Sequence, residues 1–300
     1  CWPLFWDYLK KSMWGSFLDA FMLLPVAVEM LQGKAASSAD WSLGFQFTPY
    51  NEFAKLADGA YDFHEMQEGM PNIYIALPLV LLAVFYFLSK KIDWQHKLAN
   101  GLLLILLLAS LFWTPLVLIW HLGQFPVWYP GRFTFVLIFF ALNLAIIALN
   151  QREKVKFWQI GILILLAIGL IVFITLNSKS FAFLNQNAQT ASAAFLALGI
   201  LFIGFIYNRS NFAAPFFCLI IELELIINLV LSLNNLAYQD NADYRNFVQN
   251  TSQVTQYAKD HDDTLYRAEK TFYRSDDDPF SANYYGLSTF NSISNQRVLN

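Results

Sequence analysis

The sequence predicts a mostly α-helical fold: a transmembrane bundle of about seven helices, followed by the start of an extracellular α+β or β-rich domain. Three observations predict it. Of the 300 residues, 57% are hydrophobic and 14% are charged, which would leave a water-soluble protein short of polar surface. Several apolar stretches approach the roughly 20 residues needed to cross about 30 Å of hydrocarbon. The charged residues collect in the gaps between these stretches.

The predicted spans assign residues 1–233 to the transmembrane bundle and residues 234–300 to the start of the outer domain. Because the chain begins Cys-Trp-Pro and ends Val-Leu-Asn, we expect it to be a segment of a longer protein. The spans cover approximately residues 13–32, 72–89, 99–120, 133–149, 157–176, 193–208 and 212–233.

The basic residues predict the orientation, because Lys and Arg concentrate in cytoplasmic loops. The gaps 33–71, 121–132 and 177–192 hold few of them and are predicted to lie outside, together with everything after about residue 234. The net charge of −3 gives no sign of nucleic-acid binding. The basic residues that mark the inner gaps are Lys10, Lys11, Lys90, Lys91, Lys97, Arg152, Lys154, Lys156 and Arg209.

The first outer gap combines a short helix with an acidic cluster. Thr48 followed by proline is typical of a helix N-terminus, and the apolar residues after it recur at helical spacing. The cluster is either a solvated acidic loop or a site for a substrate or metal, and it lacks the second histidine of a zinc-protease motif. The cluster consists of Asp62, His64, Glu65 and Glu68.

The second outer gap contains a cation that membrane orientation does not explain. Its prolines and glycines predict a rigid turn, and Trp128 and Tyr129 are typical of an interfacial aromatic belt. A guanidinium at headgroup depth can bind a phosphate through two parallel hydrogen bonds. We therefore predict that Arg132 binds a substrate phosphate. The alternative is an arginine that reaches a lipid phosphate.

Two glutamates, Glu222 and Glu224, interrupt the last predicted span. A carboxylate at this depth is costly and normally faces the bundle interior or a water-filled cavity. Glu224 and Asn228 are four residues apart and share one helix face. They are either a protonated glutamate and its neighbour bonded to another helix, or part of a polar substrate cavity.

The tail is predicted to contain one amphipathic helix at 242–259, from apolar residues at three- and four-residue intervals. From Thr264 onward, aromatic and β-branched residues with turn residues between them predict short strands. Asp276-Asp277-Asp278 before a proline predicts a turn.

The sequence has no phosphate-binding glycine loop, dinucleotide fingerprint or nucleophile elbow, which leaves transporters and membrane enzymes acting on lipid-linked substrates. Several stretches, taken in order, resemble the YfhO-type family of bacterial membrane proteins, which belongs with the GT-C glycosyltransferases. The matching stretches are FMLLPVAVEM, GMPNIYIALPLVLLAVFYF, FPVWYPGRFTFVLIFFALN, ELELIIN, YRAEKTF and DDDPFSANYYGLSTFNSIS.

The resemblance implies transfer of a sugar from a polyprenyl-phosphate donor to a cell-envelope polymer such as lipoteichoic acid, outside a bacterial plasma membrane. The family's catalytic base lies in the first external loop, which we expect upstream of Cys1; Asp58 and Asp62 are weak candidates within the chain. No cofactor or metal site is predicted, although a divalent cation is left open. The residues expected to contact substrate are Arg132, Glu224, Asn228, His64 and Glu65.

Two other functions stay open. Intramembrane glutamates also suit a flippase or transporter of lipid-linked saccharides, although Pro78, Pro115 and Pro215 form no evident internal repeat. The third alternative is a non-catalytic envelope scaffold with an extracellular sugar-binding domain.

Overall fold

The computed structural model divides the chain into two compact units, residues 1–38 with 238–300 and residues 39–237. The basic residues Arg152 and Arg209 lie outside the described residues, as does Asp276. The predicted boundary at residue 233 stays a prediction. The described residues are 2–32, 41–121, 123, 125–126, 128–151, 153–206, 213–262, 264, 266–272, 274–275 and 277–288.

Helices make up the regular structure of the described residues. A 3-10 helix, Pro49–Leu56, lies in the first outer gap, and a π-helical turn, Phe202–Ile206, continues α9. The α-helices are α1 (Trp2–Leu18), α2 (Ala20–Gln32), α3 (Phe63–Glu68), α4 (Leu77–Leu88), α5 (Trp94–Phe112), α6 (Thr114–Trp120), α7 (Thr134–Asn150), α8 (Phe157–Asn177), α9 (Gln186–Leu201), α10 (Ala213–Asn234), α11 (Asn241–His261) and α12 (Asp278–Ser281).

Within the described residues, four helices are long and apolar enough to cross a membrane, namely α5, α8, α9 extended to Phe205, and α10. The helices α4 and α7 are apolar but shorter. Large apolar side chains such as Ile105, Leu165 and Leu223 are exposed on the long helices, as expected where a helix faces lipid. A mostly helical protein with several candidate membrane spans is thus confirmed, but in the described residues four helices, and not the seven predicted, are long enough to span.

Two predicted spans are divided. The first falls on α1 and α2, which meet at Asp19. The third is broken at Trp113, because Pro115 has no N–H to continue the helix. Chain from the first outer gap pairs with the break: the Thr114 N–H donates to the Gly44 carbonyl, and the Phe112 carbonyl accepts the N–H of Gln46.

The helix α4 lies at the centre of the bundle and packs against α7, α8 and α9. Its side chains Leu77, Leu82 and Phe85 are completely buried. At the C-terminal end of α4, the carboxylate of Glu153 accepts hydrogen bonds from the Ser89 hydroxyl and the Lys90 N–H. The gap after α4 and the gap after α7 therefore meet at one end of the bundle.

The gaps predicted to lie outside meet at the opposite end. The Tyr129 N–H donates to the Met66 carbonyl at 2.7 Å, which joins the second gap to the first. Phe183, from the third gap, packs in one cluster with Ala54 and Ala57. For the gaps after α4 and α7 and the three predicted outer gaps, the alternation read from the basic residues thus matches the two ends of the bundle, while the side that each end faces stays a prediction. Lys10 and Lys11, predicted to lie in a gap, fall inside α1.

In the unit that contains the tail, α11 confirms the predicted amphipathic helix. The strands expected from Thr264 do not form in the described residues, which fold into turns and the short helix α12. The carboxylate of Glu269 accepts the N–H groups of Leu287 and Ser288, and that of Asp278 accepts the N–H of Ser275. These carboxylates accept hydrogen bonds from backbone N–H groups that, in a sheet, would donate to a neighbouring strand.

Candidate functional site

A cavity of about 600 Å³ opens at the end of the bundle where the predicted outer gaps meet. Its walls come from the segment before α4, the turn between α6 and α7, and the loop after α8. The lining mixes polar side chains with aromatic rings, the composition of a site that fixes a ligand by a few hydrogen bonds and broad apolar contact. Lining residues include Gln46, Asn51, His64, Glu68, Trp128 and Phe181.

The short helix α3 presents the acidic cluster to this cavity. Asp62 caps the helix, because its Oδ1 accepts the N–H of Glu65 at 2.8 Å. His64 and Glu68 are exposed and line the cavity. Asp62, a weak candidate for the base, therefore has a structural role in capping α3, whereas His64 is placed where a ligand can reach it.

Glu65 also lines the cavity, but its carboxylate is buried and paired. It receives the Lys55 ammonium at 3.1 Å and the Met70 N–H at 3.0 Å. The ammonium also donates to the Ala60 carbonyl at 2.6 Å and lies 4.8 Å from the centre of the Phe183 ring. Burial lowers the pKa of Lys55 although Glu65 opposes that shift. This arrangement fixes the cavity wall and leaves Glu65 little capacity to bind a ligand.

A turn at Asp58-Gly59 docks the same segment onto α10. The Gly59 N–H donates to Asn228 Oδ1 at 2.8 Å, and Asn235 Nδ2 donates to the Gly59 carbonyl at 3.2 Å. Gly59 has a φ of +68°, and a Cβ there would lie 2.7 Å from the Cβ of Leu231. Only glycine allows this close approach. Asn228 serves to hold the backbone of the turn, because its side-chain oxygen accepts the Gly59 N–H.

Glu224 holds the start of α4. Its Oε1 accepts the N–H of Leu77 at 2.6 Å, in place of an N-cap side chain on Ala76. Asp58 lies in the same polar region: its N–H donates to Ser192 Oγ and its Oδ1 accepts the Tyr74 hydroxyl at 3.1 Å. Burial raises the pKa of Asp58 to about 6.

Arg132 is exposed and follows Gly131, which lines the cavity. Its guanidinium donates to the carbonyl of Trp128 at 3.1 Å. The turn is fixed by the positive φ of Trp128, Tyr129 and Gly131, and a Cβ on Gly131 would lie 2.4 Å from that of Pro71. The described residues of this gap form turns and no helix, as the prolines and glycines predicted, while the rigidity of the turn stays a prediction.

A family model described as bacterial membrane protein YfhO matches residues 1–300. The chain belongs to the YfhO family of bacterial membrane proteins. No curated protein and no solved structure matched it. The family resemblance stated from the sequence is therefore confirmed over the whole chain.

In this YfhO-family protein the predicted site residues fall into three places. His64 and Glu65 lie at the cavity, Arg132 lies on the turn that borders it, and Asp58 joins Glu224 and Asn228 in a buried polar region of the bundle. Within the described residues, no group of three or more His, Cys, Asp or Glu side chains is arranged to hold a metal ion.

Sequence reasoning on this YfhO-family chain missed Lys55 and Tyr74. Lys55 is one of two lysines in a gap predicted to be aqueous, and it is completely buried. Tyr74 falls at the start of a predicted span, where tyrosine is ordinary. No spacing in the sequence marks either residue, because their partners Glu65 and Asp58 are set by the fold of an irregular segment.

Proposed function

We propose that this protein transfers a sugar from a polyprenyl-phosphate donor to a cell-envelope polymer such as lipoteichoic acid, at the outer face of the bacterial plasma membrane. The observation that carries the proposal is the cavity of about 600 Å³ beside the Arg132 turn. It opens at the bundle end that gathers the gaps with few basic residues, the end predicted to face outward.

The lining of the cavity suits a sugar. Gln46, Asn51 and Glu68 offer amide and carboxylate groups for hydroxyls, and Trp128 offers an aromatic face for the apolar side of a sugar ring. The His64 ring, which is exposed in the same wall, adds a donor or acceptor. We assign these side chains to binding and orienting the sugar.

The proposed reaction needs stabilisation of a leaving phosphate. The acceptor hydroxyl attacks the anomeric carbon, the bond from that carbon to the phosphate oxygen breaks, and polyprenyl phosphate leaves. The hydroxyl proton passes to a base. A fixed cation beside the phosphate stabilises the charge that develops there. Arg132 supplies such a cation, on the turn that borders the cavity.

Substitution of Arg132 tests the proposal. We expect Arg132→Ala to lower sugar transfer by roughly 100-fold and Arg132→Lys to lower it less, because lysine keeps the charge but loses the planar two-pronged contact. The assay follows a labelled sugar from a polyprenyl-phosphate donor to purified acceptor, in membranes that contain the full-length protein, with rates normalised to protein level.

Arg245→Ala is the matched control, since Arg245 is an exposed arginine on α11 whose guanidinium also bonds a carbonyl four residues away. A wild-type rate with unchanged donor dependence in Arg132→Ala would remove Arg132 from the site. Movement of the donor lipid across the bilayer without transfer of its sugar would favour the flippase instead.

A further inference from the structure

Two carboxyl groups are buried in the bundle, and only one of the two oxygens in each accepts a hydrogen bond. Asp58 and Glu224 both have 0% of their surface exposed. One oxygen of each accepts a hydrogen bond, from the Tyr74 hydroxyl and from the Leu77 N–H. The other oxygen, Oδ2 of Asp58 and Oε2 of Glu224, is buried without a partner.

These two carboxyl groups share one environment. Their charges repel each other, and both lie within electrostatic reach of the Tyr74 hydroxyl. The residue after Asp58 bonds Asn228, which lies one helical turn beyond Glu224 on α10. The unpartnered oxygens therefore belong to one buried polar region between the docked segment and α10.

Among the described residues, the elements around the two carboxyl groups supply no positive charge. The docked segment contributes Tyr74, α9 contributes the hydroxyl of Ser192, and α4 contributes the backbone N–H of Leu77. The ion pairs found in the described residues do not include Asp58 or Glu224. Two ionised carboxylates in such a place are costly, so the pair requires a positive charge between them.

We propose that Asp58 and Glu224 form a buried site for one monovalent cation, either a proton or Na⁺. The ligand atoms are the unpartnered Asp58 Oδ2 and Glu224 Oε2, with the oxygen of the Tyr74 hydroxyl beside them. The bound cation removes the repulsion that would otherwise push the segment at Asp58 away from α10. This site is independent of sugar transfer.

The test uses the purified full-length chain in lipid nanodiscs, as wild type, Asp58→Asn and Glu224→Gln. Glu222→Gln is the control, because Glu222 is exposed on the same helix. If the cation is a proton, infrared spectra near neutral pH contain the C=O stretch of a protonated carboxylic acid, and each site variant loses part of its intensity while the part from Glu52 remains. If it is Na⁺, the wild-type melting temperature rises with NaCl and not with KCl, and the site variants lose that shift.

The burial of Asp58 determines whether the stability of the folded protein rises or falls with pH. Because the pKa of Asp58 is raised to about 6, the folded protein holds this proton more tightly than the unfolded chain does. Stability is therefore full at low pH and falls as pH rises from about 4 through about 6. In the absence of Na⁺, we expect the wild-type melting temperature to fall by on the order of 5 °C more than that of Asp58→Asn between about pH 5 and about pH 8.

Wild-type protein that lacks both the infrared band and the Na⁺-specific shift overturns the proposal, whether or not the variants fold. A band of undiminished intensity, or a Na⁺-specific shift that persists, in Asp58→Asn and Glu224→Gln also overturns it, because the cation then lies elsewhere. Glu52, whose pKa burial raises to about 8, adds a pH effect of the same sign. Since Glu52 is present in wild type and in the variants, the difference between them isolates the site.

Discussion

Two buried acidic clusters lie close together along the same segment, and they are neutralised in different ways. Glu65 faces the ammonium of Lys55 at 3.1 Å, and both side chains are buried. The carboxyl groups of Asp58 and Glu224 repel each other, and neither has a basic partner within the described residues. The first cluster is complete within the chain, whereas the second depends on a cation from solution. Burial alone therefore does not tell a structural carboxylate from a binding one.

The largest expected effect comes from breaking the complete cluster. Lys55→Met leaves the Glu65 carboxylate buried without its cation, and we expect a loss of about 3–5 kcal/mol in the free energy of unfolding. Adding Glu65→Gln should restore part of that stability, since the amide oxygen can still accept the Met70 N–H. The measurement is thermal unfolding in detergent; a single variant that melts with the wild type would mean that the pair stabilises nothing.

The next effect comes from pushing the turn at Asp58 and Gly59 away from α10, which carries Glu224. Gly59→Ala places a methyl group against Leu231 in a backbone region that disfavours alanine, so we expect a loss of roughly 2–3 kcal/mol. Gly123→Ala is the matched control: its φ is +83°, but the new Cβ would lie 3.5 Å from the Trp41 ring. Equal melting temperatures for the two variants would show that close approach to α10 adds no constraint.

The smallest expected effect on stability comes from Glu224, where two substitutions separate the contribution of its hydrogen bond from that of its charge. Glu224→Gln keeps an acceptor for the Leu77 N–H, while Glu224→Leu removes it and should cost about 1–2 kcal/mol more. The same two substitutions at the exposed Glu222 should leave the melting temperature unchanged. If Glu224→Leu and Glu224→Gln unfold together near the wild-type temperature, the carboxyl group does not support α4.

Much of the fold was predictable because long apolar stretches have few alternatives in a membrane. The helices α8 and α10 match their predicted spans within a few residues. Pro115 is a local signal for the break at Trp113, but the pairing of the break with Gly44 and Gln46 was not predictable, because these residues come from a distant part of the chain. The strands expected after Thr264 failed because Glu269 and Asp278 hold the backbone N–H groups instead.

The candidate site was predictable in its residue types but not in their partners. The four-residue spacing placed Glu224 and Asn228 on one face of a helix, and both do hold backbone: Asn228 accepts the Gly59 N–H of the first gap, and Glu224 accepts the Leu77 N–H at the start of α4. That Leu77 and Gly59 would be the groups held was not visible, since each lies more than a hundred residues away along the chain. His64 was placed at a site, yet the role of Glu65 required knowledge of Lys55.

The shortness of α4 has a consequence for how the protein is made. At 12 residues it is roughly 18 Å long, well under the hydrocarbon thickness of about 30 Å. Its first N–H is held by Glu224, which follows it by 147 residues, and its last turn is closed by Glu153. During synthesis α4 thus enters the membrane long before its partners exist. We expect it to remain beside the insertion machinery, loosely held, until α10 emerges and allows the bundle to close around it.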